Sequence, residues 1–154
     1  MGLNNDPFVV VQEFELDPYG FIHPEVIRLP DDGTSLVVLT VDVCVKQPQK
    51  TQILLDSMIQ IAVDDFGFNT LSTFEVTYDL LRNGDVIATI NDEIDYAEPD
   101  DLLKNTNLPR FPIVDNNPSF GTNTYELACT NVIGGASIAI FVGSRSLKAS
   151  VFTL

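Results

Sequence analysis

The chain has no tryptophan, a single histidine and two cysteines, and each scarcity closes a route to chemistry. His23, set immediately before Pro24, cannot make a zinc site with two scattered cysteines at no recognised spacing. As a general base it needs a serine or cysteine nucleophile, and no motif pairs one with it, so no catalytic set is expected. Cys44 and Cys129 lie far apart in strand-like stretches, and the expectation is two small buried thiols. Basic residues are also few. Eight Lys and Arg against 22 Asp and Glu give a net charge of −14 and a pI near 4.1. Such a chain repels polyanions, which argues against nucleic acid and anionic membrane surfaces as partners. No apolar run approaches the roughly 18 residues that span a bilayer. Met1 to Asp6 show no basic start and no apolar core, so the reading is synthesis in a cytoplasm without a secretory signal. Gly2 does not open a myristoylation signal, because Asp6 stands where Ser or Thr is needed.

What is present is alternation. Of the 154 residues, 45% are hydrophobic and only 19% charged, enough for one domain over 1–154 with a real core. Phe74, Val76, Tyr78 and Leu80 alternate with Glu75, Thr77 and Asp79, and the pattern resumes after Arg82-Asn83-Gly84-Asp85 with Val86, Ala88 and Ile90. A three-residue loop with Gly84 left-handed sets Leu80 against Val86, Tyr78 against Ala88 and Val76 against Ile90, keeping the apolar faces together. Similar rows appear in Phe8–Leu16, in Val37, Leu39, Val41, Val43 and Val45, and in Ile53, Leu55, Ile59, Ile61 and Val63. Tyr125, Leu127 and Cys129 form another. Ile138 to Val142 and Leu147 to Val151 read as two strands separated by a turn at Gly143-Ser144. Pro24 limits the 21–29 stretch to an edge strand or connector. Residues 95 to 121, with four prolines, read as a long loop holding at most a short strand around Phe111 to Val114. Eight to ten strands with Gly or Pro punctuation predict an all-β, antiparallel sandwich or barrel.

Three features bear on function. Asp92, Glu93, Asp95, Glu98, Asp100 and Asp101 offer oxygens for Ca²⁺, but at no EF-hand spacing, and solvated acids are the default reading. Most aromatics fall on the apolar parity and read as core. Phe66, Phe68, Phe111 and Phe120 are the exceptions, either contact residues or plugs for the ends of a sandwich. Ile138, Ala139, Ile140, Phe141 and Val142 are apolar on both strand faces, so both must be covered. With Val9-Val10-Val11, Val151 and Phe152, they are the candidate self-association residues.

The stretch Leu81-Arg82-Asn83-Gly84-Asp85-Val86-Ile87-Ala88-Thr89, taken with the run from Thr124-Tyr125-Glu126-Leu127 through Gly134-Gly135 to Arg145-Ser146-Leu147-Lys148-Ala149, resembles the layout of small jelly-roll proteins of bacterial spore surfaces. These are of the exosporium and spore-coat type, akin in fold to tumour-necrosis-factor and complement-C1q heads. The resemblance covers roughly the second half. It implies an antiparallel jelly-roll β-sandwich, a structural and non-enzymatic role at a spore surface, and no cofactor. The implied partners are further copies of the chain, as a trimer or filament, and other surface-layer proteins. Unlike spore-appendage pilins of similar fold, the N-terminus carries no cysteine, and no collagen-like stalk is present. A phage or virion structural domain, or a calcium- or glycan-binding sandwich, are the alternatives.

Overall fold

The computed structural model describes residues 7–20, 22–65, 71–97, 104–107, 109–133 and 138–153, with side chains described at all but 64–65, 71–72, 94–97, 104–107, 133 and 138 of these. The first half of the chain forms β1 (Phe8–Phe14), β2 (Ile27–Arg28), β3 (Leu36–Val45), β4 (Thr51–Asp65) and β5 (Leu71–Arg82). The second half forms β6 (Asp85–Ala97), β7 (Lys104–Asn107), β8 (Arg110–Asp115), β9 (Gly121–Ile133) and β10 (Ile138–Thr153).

The pairings are nested. β5 pairs with β6, β4 with β7 and β8, β3 with β9, and β1 with β10, all antiparallel. The chain is thus one long hairpin rolled on itself. Rolling makes two sheets: β1-β10-β4-β7, with β2 also on β10 and β8 also on β4, and β3-β9-β5-β6. This is an antiparallel jelly-roll β-sandwich. β1 and β2 share one flank of β10, and β7 and β8 share one flank of β4, so each pair serves as one interrupted strand.

The inner rows close the core. Ile53, Leu55, Ile59, Ile61 and Val63 of β4 and Ile140, Val142, Leu147 and Ala149 of β10 face Val41, Val43, Phe74, Val76, Tyr78, Leu80, Tyr125 and Leu127 of the other sheet. Each aliphatic side chain so buried is worth about 1.5–3 kcal/mol, which outweighs the weaker β-propensities of the outward Asp and Gln residues.

Several expectations are corrected by local irregularities. The β5–β6 turn is the two residues Asn83 and Gly84, both with positive φ (53° and 86°). The ladder therefore begins with Arg82 opposite Asp85, and a bulge at Ile87 then restores the parity. Leu80 faces Ala88, Tyr78 faces Ile90 and Val76 faces Asp92, two residues away from the expected partners. In β3 a bulge between Val37 and Leu39 leaves Val37 exposed and buries Val38 instead. Gly143-Ser144 is no turn. β10 continues through it as one strand, with a bulge between Val142 and Arg145. Ser144 Oγ donates to Leu16 O and accepts from Leu16 N, both at 2.9 Å, and Gly143 lies against Pro18.

The 95–121 stretch is not one long loop. It continues β6 to Ala97 and then supplies β7 and β8, which cover the edge of β4 that would otherwise stand open. The short strand expected at Phe111–Val114 is β8.

Candidate functional site

The stretch expected to join copies is mostly used inside the chain. Residues 138–142 pair with β4, Phe141 and Val142 also pair with β2 on the other side, and Leu29 N donates to Ile140 O at 2.9 Å. Ile140 and Val142 point into the core and are fully buried. Ala139 faces outward yet is buried too, and Phe141 is half-buried, while the side chain of Ile138 lies outside the described residues. The cover that a two-faced apolar strand needs is thus supplied largely by this chain, and Ala139, Ile140 and Val142 are not available to a neighbour. Val151 is half-buried against the core. Phe152, at 38% exposed, does reach the surface, as do Val9 and Val11.

The surface they reach is the outer face of the six-stranded sheet. Register fixes its layout, because residues directly opposite in an antiparallel pair share a face. One row across β1, β10, β4 and β8 is Val9, Ser150, Leu54, Val114; the next is Val11, Lys148, Asp56, Pro112; the third is Glu13, Ser146, Met58, Arg110. Val9, Val11, Met58 and Val114 are exposed. Arg110 grips Asp56 with Nε and Nη2 at 3.1 and 2.8 Å. The Arg110 hydrogen bond holds the Asp56 carboxyl below its ordinary range against a smaller opposing effect of burial, and the charges of Arg110 and Lys148 add to it. A shallow open groove of about 310 Å³ runs between Val11, Glu13, Asp56, Met58, Arg110 and Lys148.

The outer face of the other sheet is of different character. Asp42, Glu75, Asp79, Glu93 and Glu126 project from it, with Glu75 directly opposite Glu93. The sequences of β3, β5, β6 and β9 hold one basic residue, Arg82. That residue is turned away, donating to Asp115 Oδ1 and Oδ2 at 3.0 and 2.9 Å and to Asn117 O at 2.7 Å. Tyr125 OH donates to the same carboxylate at 2.7 Å. Burial pushes the Asp115 pKa up, but the hydrogen bonds from Tyr125, Asn117 N and Arg82 outweigh it and leave it lowered. Burial, with the Asp115 contact, pushes the Tyr125 phenol far up.

Several other polar residues are tied into the fold. Arg145 is buried and donates to Val38 O, Glu25 O and Gly143 O at 3.1, 2.9 and 3.0 Å, with its guanidinium 4.2 Å from the Phe14 ring centroid. It pins the connector before β2 to both sheets. His23 is exposed, and its Nδ1 accepts from Glu25 N at 3.2 Å in a turn. The cysteines differ: Cys129 is buried, and burial raises its pKa, whereas Cys44 is exposed, contrary to the expectation of two buried thiols. Asp92 faces inward and accepts from Tyr78 OH at 3.4 Å, while Glu93 faces outward. The side chain of Asp95 and all of Glu98, Asp100 and Asp101 lie outside the described residues, as do Phe66 and Phe68. Among the described residues, no three His, Cys, Asp or Glu side chains come together as a metal would require. Phe111 plugs the core, whereas Phe120 is exposed. Between the sheets, an apolar cleft beside Tyr78, Phe111 and Leu127 has a volume of about 10 Å³, room for about one water.

With this layout in hand, comparison with known proteins speaks to the fold. No protein-family model and no curated protein sequence matches the chain. Among solved structures, the infectious bursal disease virus VP2 subviral particle matches at a TM-score of 0.50 and 14% identity, over 95% of this chain and 33% of that one. A structure of the Gt strain of the same virus matches at 0.46 and 12%, over 97% and 34%. Dimeric latent PorU from Porphyromonas gingivalis matches at 0.47 and 12%, over 97% and 13%. The chain spans about a third or less of the length of these structures. The first of these likenesses agrees with the jelly roll derived from the strand pairings.

The sequence reading missed the three-row grid. Its members sit on the outward parity of recognisable strands, but no signal in a single sequence says that β1, β10, β4 and β8 lie side by side.

Proposed function

We propose that this chain is a non-enzymatic structural subunit that associates with further copies of itself, and that its setting is a bacterial spore surface. It is made in a cytoplasm and assembled onto the surface from there, alongside other surface-layer proteins. Its work is mechanical, done by sheet packing within a copy and apolar contact between copies. The observation that carries this reading is a rolled hairpin with a filled interior that still presents large apolar side chains outward, among them Val9, Val11, Met58, Val114 and Phe152. The resemblance of the sequence layout to spore-surface jelly rolls supports the setting.

A second reading is favoured by the VP2 likeness: a shell subunit of a virion or phage head, using the same rolled hairpin. Negative-stain images and light scattering of the purified protein test both. Filaments, sheets or small oligomers are expected for a surface layer, and closed particles for a shell. A monomer across micromolar to millimolar concentration overturns the self-associating role in either setting.

A further inference from the structure

We propose that a second copy of this chain docks on the outer face of the six-stranded sheet, face to face about a two-fold axis. The inference rests on the self-associating role above and names the surface that performs it.

Charge decides which face is used. Two molecules of net charge −14 repel, and contact is favoured where the local charge is least negative. The outer face of β3, β9, β5 and β6 carries Asp42, Glu75, Asp79, Glu93 and Glu126, and the one arginine of those strands is committed to Asp115. Pressing that face on a second acidic face, or on the rim of another copy, sets like charges together in a drying interface. On the grid of β1, β10, β4 and β8, by contrast, Glu13 and Asp56 are balanced by Lys148 and Arg110. It is a neutral field on an acidic molecule.

Apolar exposure falls on the same ground. Val9, Val11, Met58 and Val114 surround the Lys148–Asp56–Arg110 line, and Phe152 flanks it. An apolar patch interrupted by balanced charges suits a copy of itself, because a two-fold operation places a self-complementary pattern on its own image. The same operation turns both acidic sheets outward, as far apart as the assembly permits. Stacking the grid of one copy on the acidic sheet of the next gives an open series, but leaves five carboxylates facing a surface without net positive charge.

The experiment compares two variants with the same change in net charge. Met58→Glu places a carboxylate in the grid; Thr122→Glu places one on the exposed outer face of β9. Both positions point outward, and circular dichroism and melting temperature verify that each variant folds. Sedimentation of the full chain across micromolar to millimolar concentration is expected to show dimer association weakened at least about tenfold by Met58→Glu and less than about threefold by Thr122→Glu. Val11→Glu is expected to repeat the effect of Met58→Glu. If the unaltered chain associates but both substitutions weaken it equally, or neither does, the grid is not the interface while self-association stands. If the unaltered chain is a monomer throughout, self-association fails and this inference with it.

Discussion

Asp115 shows how much one side chain holds in a fold made mainly of apolar rows. It is 7% exposed at the side chain and accepts from Arg82, Tyr125 and the backbone of Asn117, so it joins β8 to β5 and β9 at one end of the sandwich. Asp115→Asn keeps the shape and removes the charge from two strong hydrogen bonds, and is expected to cost about 2 kcal/mol of stability, read from urea unfolding at neutral pH. The same group gives a pH signature. Its folded pKa lies below the ordinary 3.8, so its stabilisation is complete above that value and is lost as pH falls through the lowered one. Asp56, lowered chiefly by its Arg110 hydrogen bond, acts in the same direction. Unfolding midpoints followed into acid should therefore fall more steeply for the unaltered chain than for Asp115→Asn; parallel curves would show that the carboxylate is not engaged. None of this was legible beforehand. Arg82 and Asp115 lie in different strands, and only the rolled register brings them together. Cys44 and Cys129 were separable only in part, since the outward parity of Cys44 was visible while its exposure at the edge strand was not. A thiol reagent is expected to modify one cysteine per native chain and two in denaturant; two in the native state would contradict the burial of Cys129.

At the scale of elements, the rows were readable and the irregularities were not. Side chains of period two make the inner faces of β4, β5 and β9 visible in a bare sequence, and those assignments held position by position. A bulge has no such signal. A turn around Asn83-Gly84 was legible, but it has two residues rather than the three expected, and the extra residue at Ile87 moves every partner beyond it. Gly143-Ser144 looks like punctuation and is instead a kink within a strand of 16 residues. Its glycine is needed for proximity rather than for backbone freedom. A Cβ at Gly143 would lie 2.7 Å from the Cβ of Pro18 and 2.9 Å from its Cα, with little room for either chain to yield. Gly143→Ala is expected to destabilise by about 1–3 kcal/mol, seen as a lower melting temperature, through loss of the clamp between β10 and the 16–18 segment. An unchanged melting temperature would mean that the connector is not seated there. Arg145, two residues on, anchors the same junction by donating to three backbone carbonyls.

The whole molecule is governed by its acidity and by its nesting. Composition announced the first correctly but not its distribution, since the sorting of Arg110 and Lys148 to one sheet and five carboxylates to the other depends on strand neighbours. A net charge of −14 strains any compact state, and screening relieves it: the Debye length shrinks from about 10 Å at 0.1 M salt to about 3 Å at 1 M. Melting temperature at neutral pH is expected to rise with sodium chloride; a fall would place the surface ion pairs above self-repulsion. The nesting has a consequence in time. Among the described residues, β1 has a single ladder partner, β10, which is made after the other described strands, and β3 waits almost as long for β9. A ribosome therefore releases Phe8–Phe14, with its three consecutive valines, long before β10 exists to pair with it. Among the described strands, β5 with β6 is the hairpin that can close as it emerges, so folding proceeds outward from Asn83 and reaches β1 after its inner neighbours. During that delay the newborn polypeptide is at its most prone to stick to its neighbours.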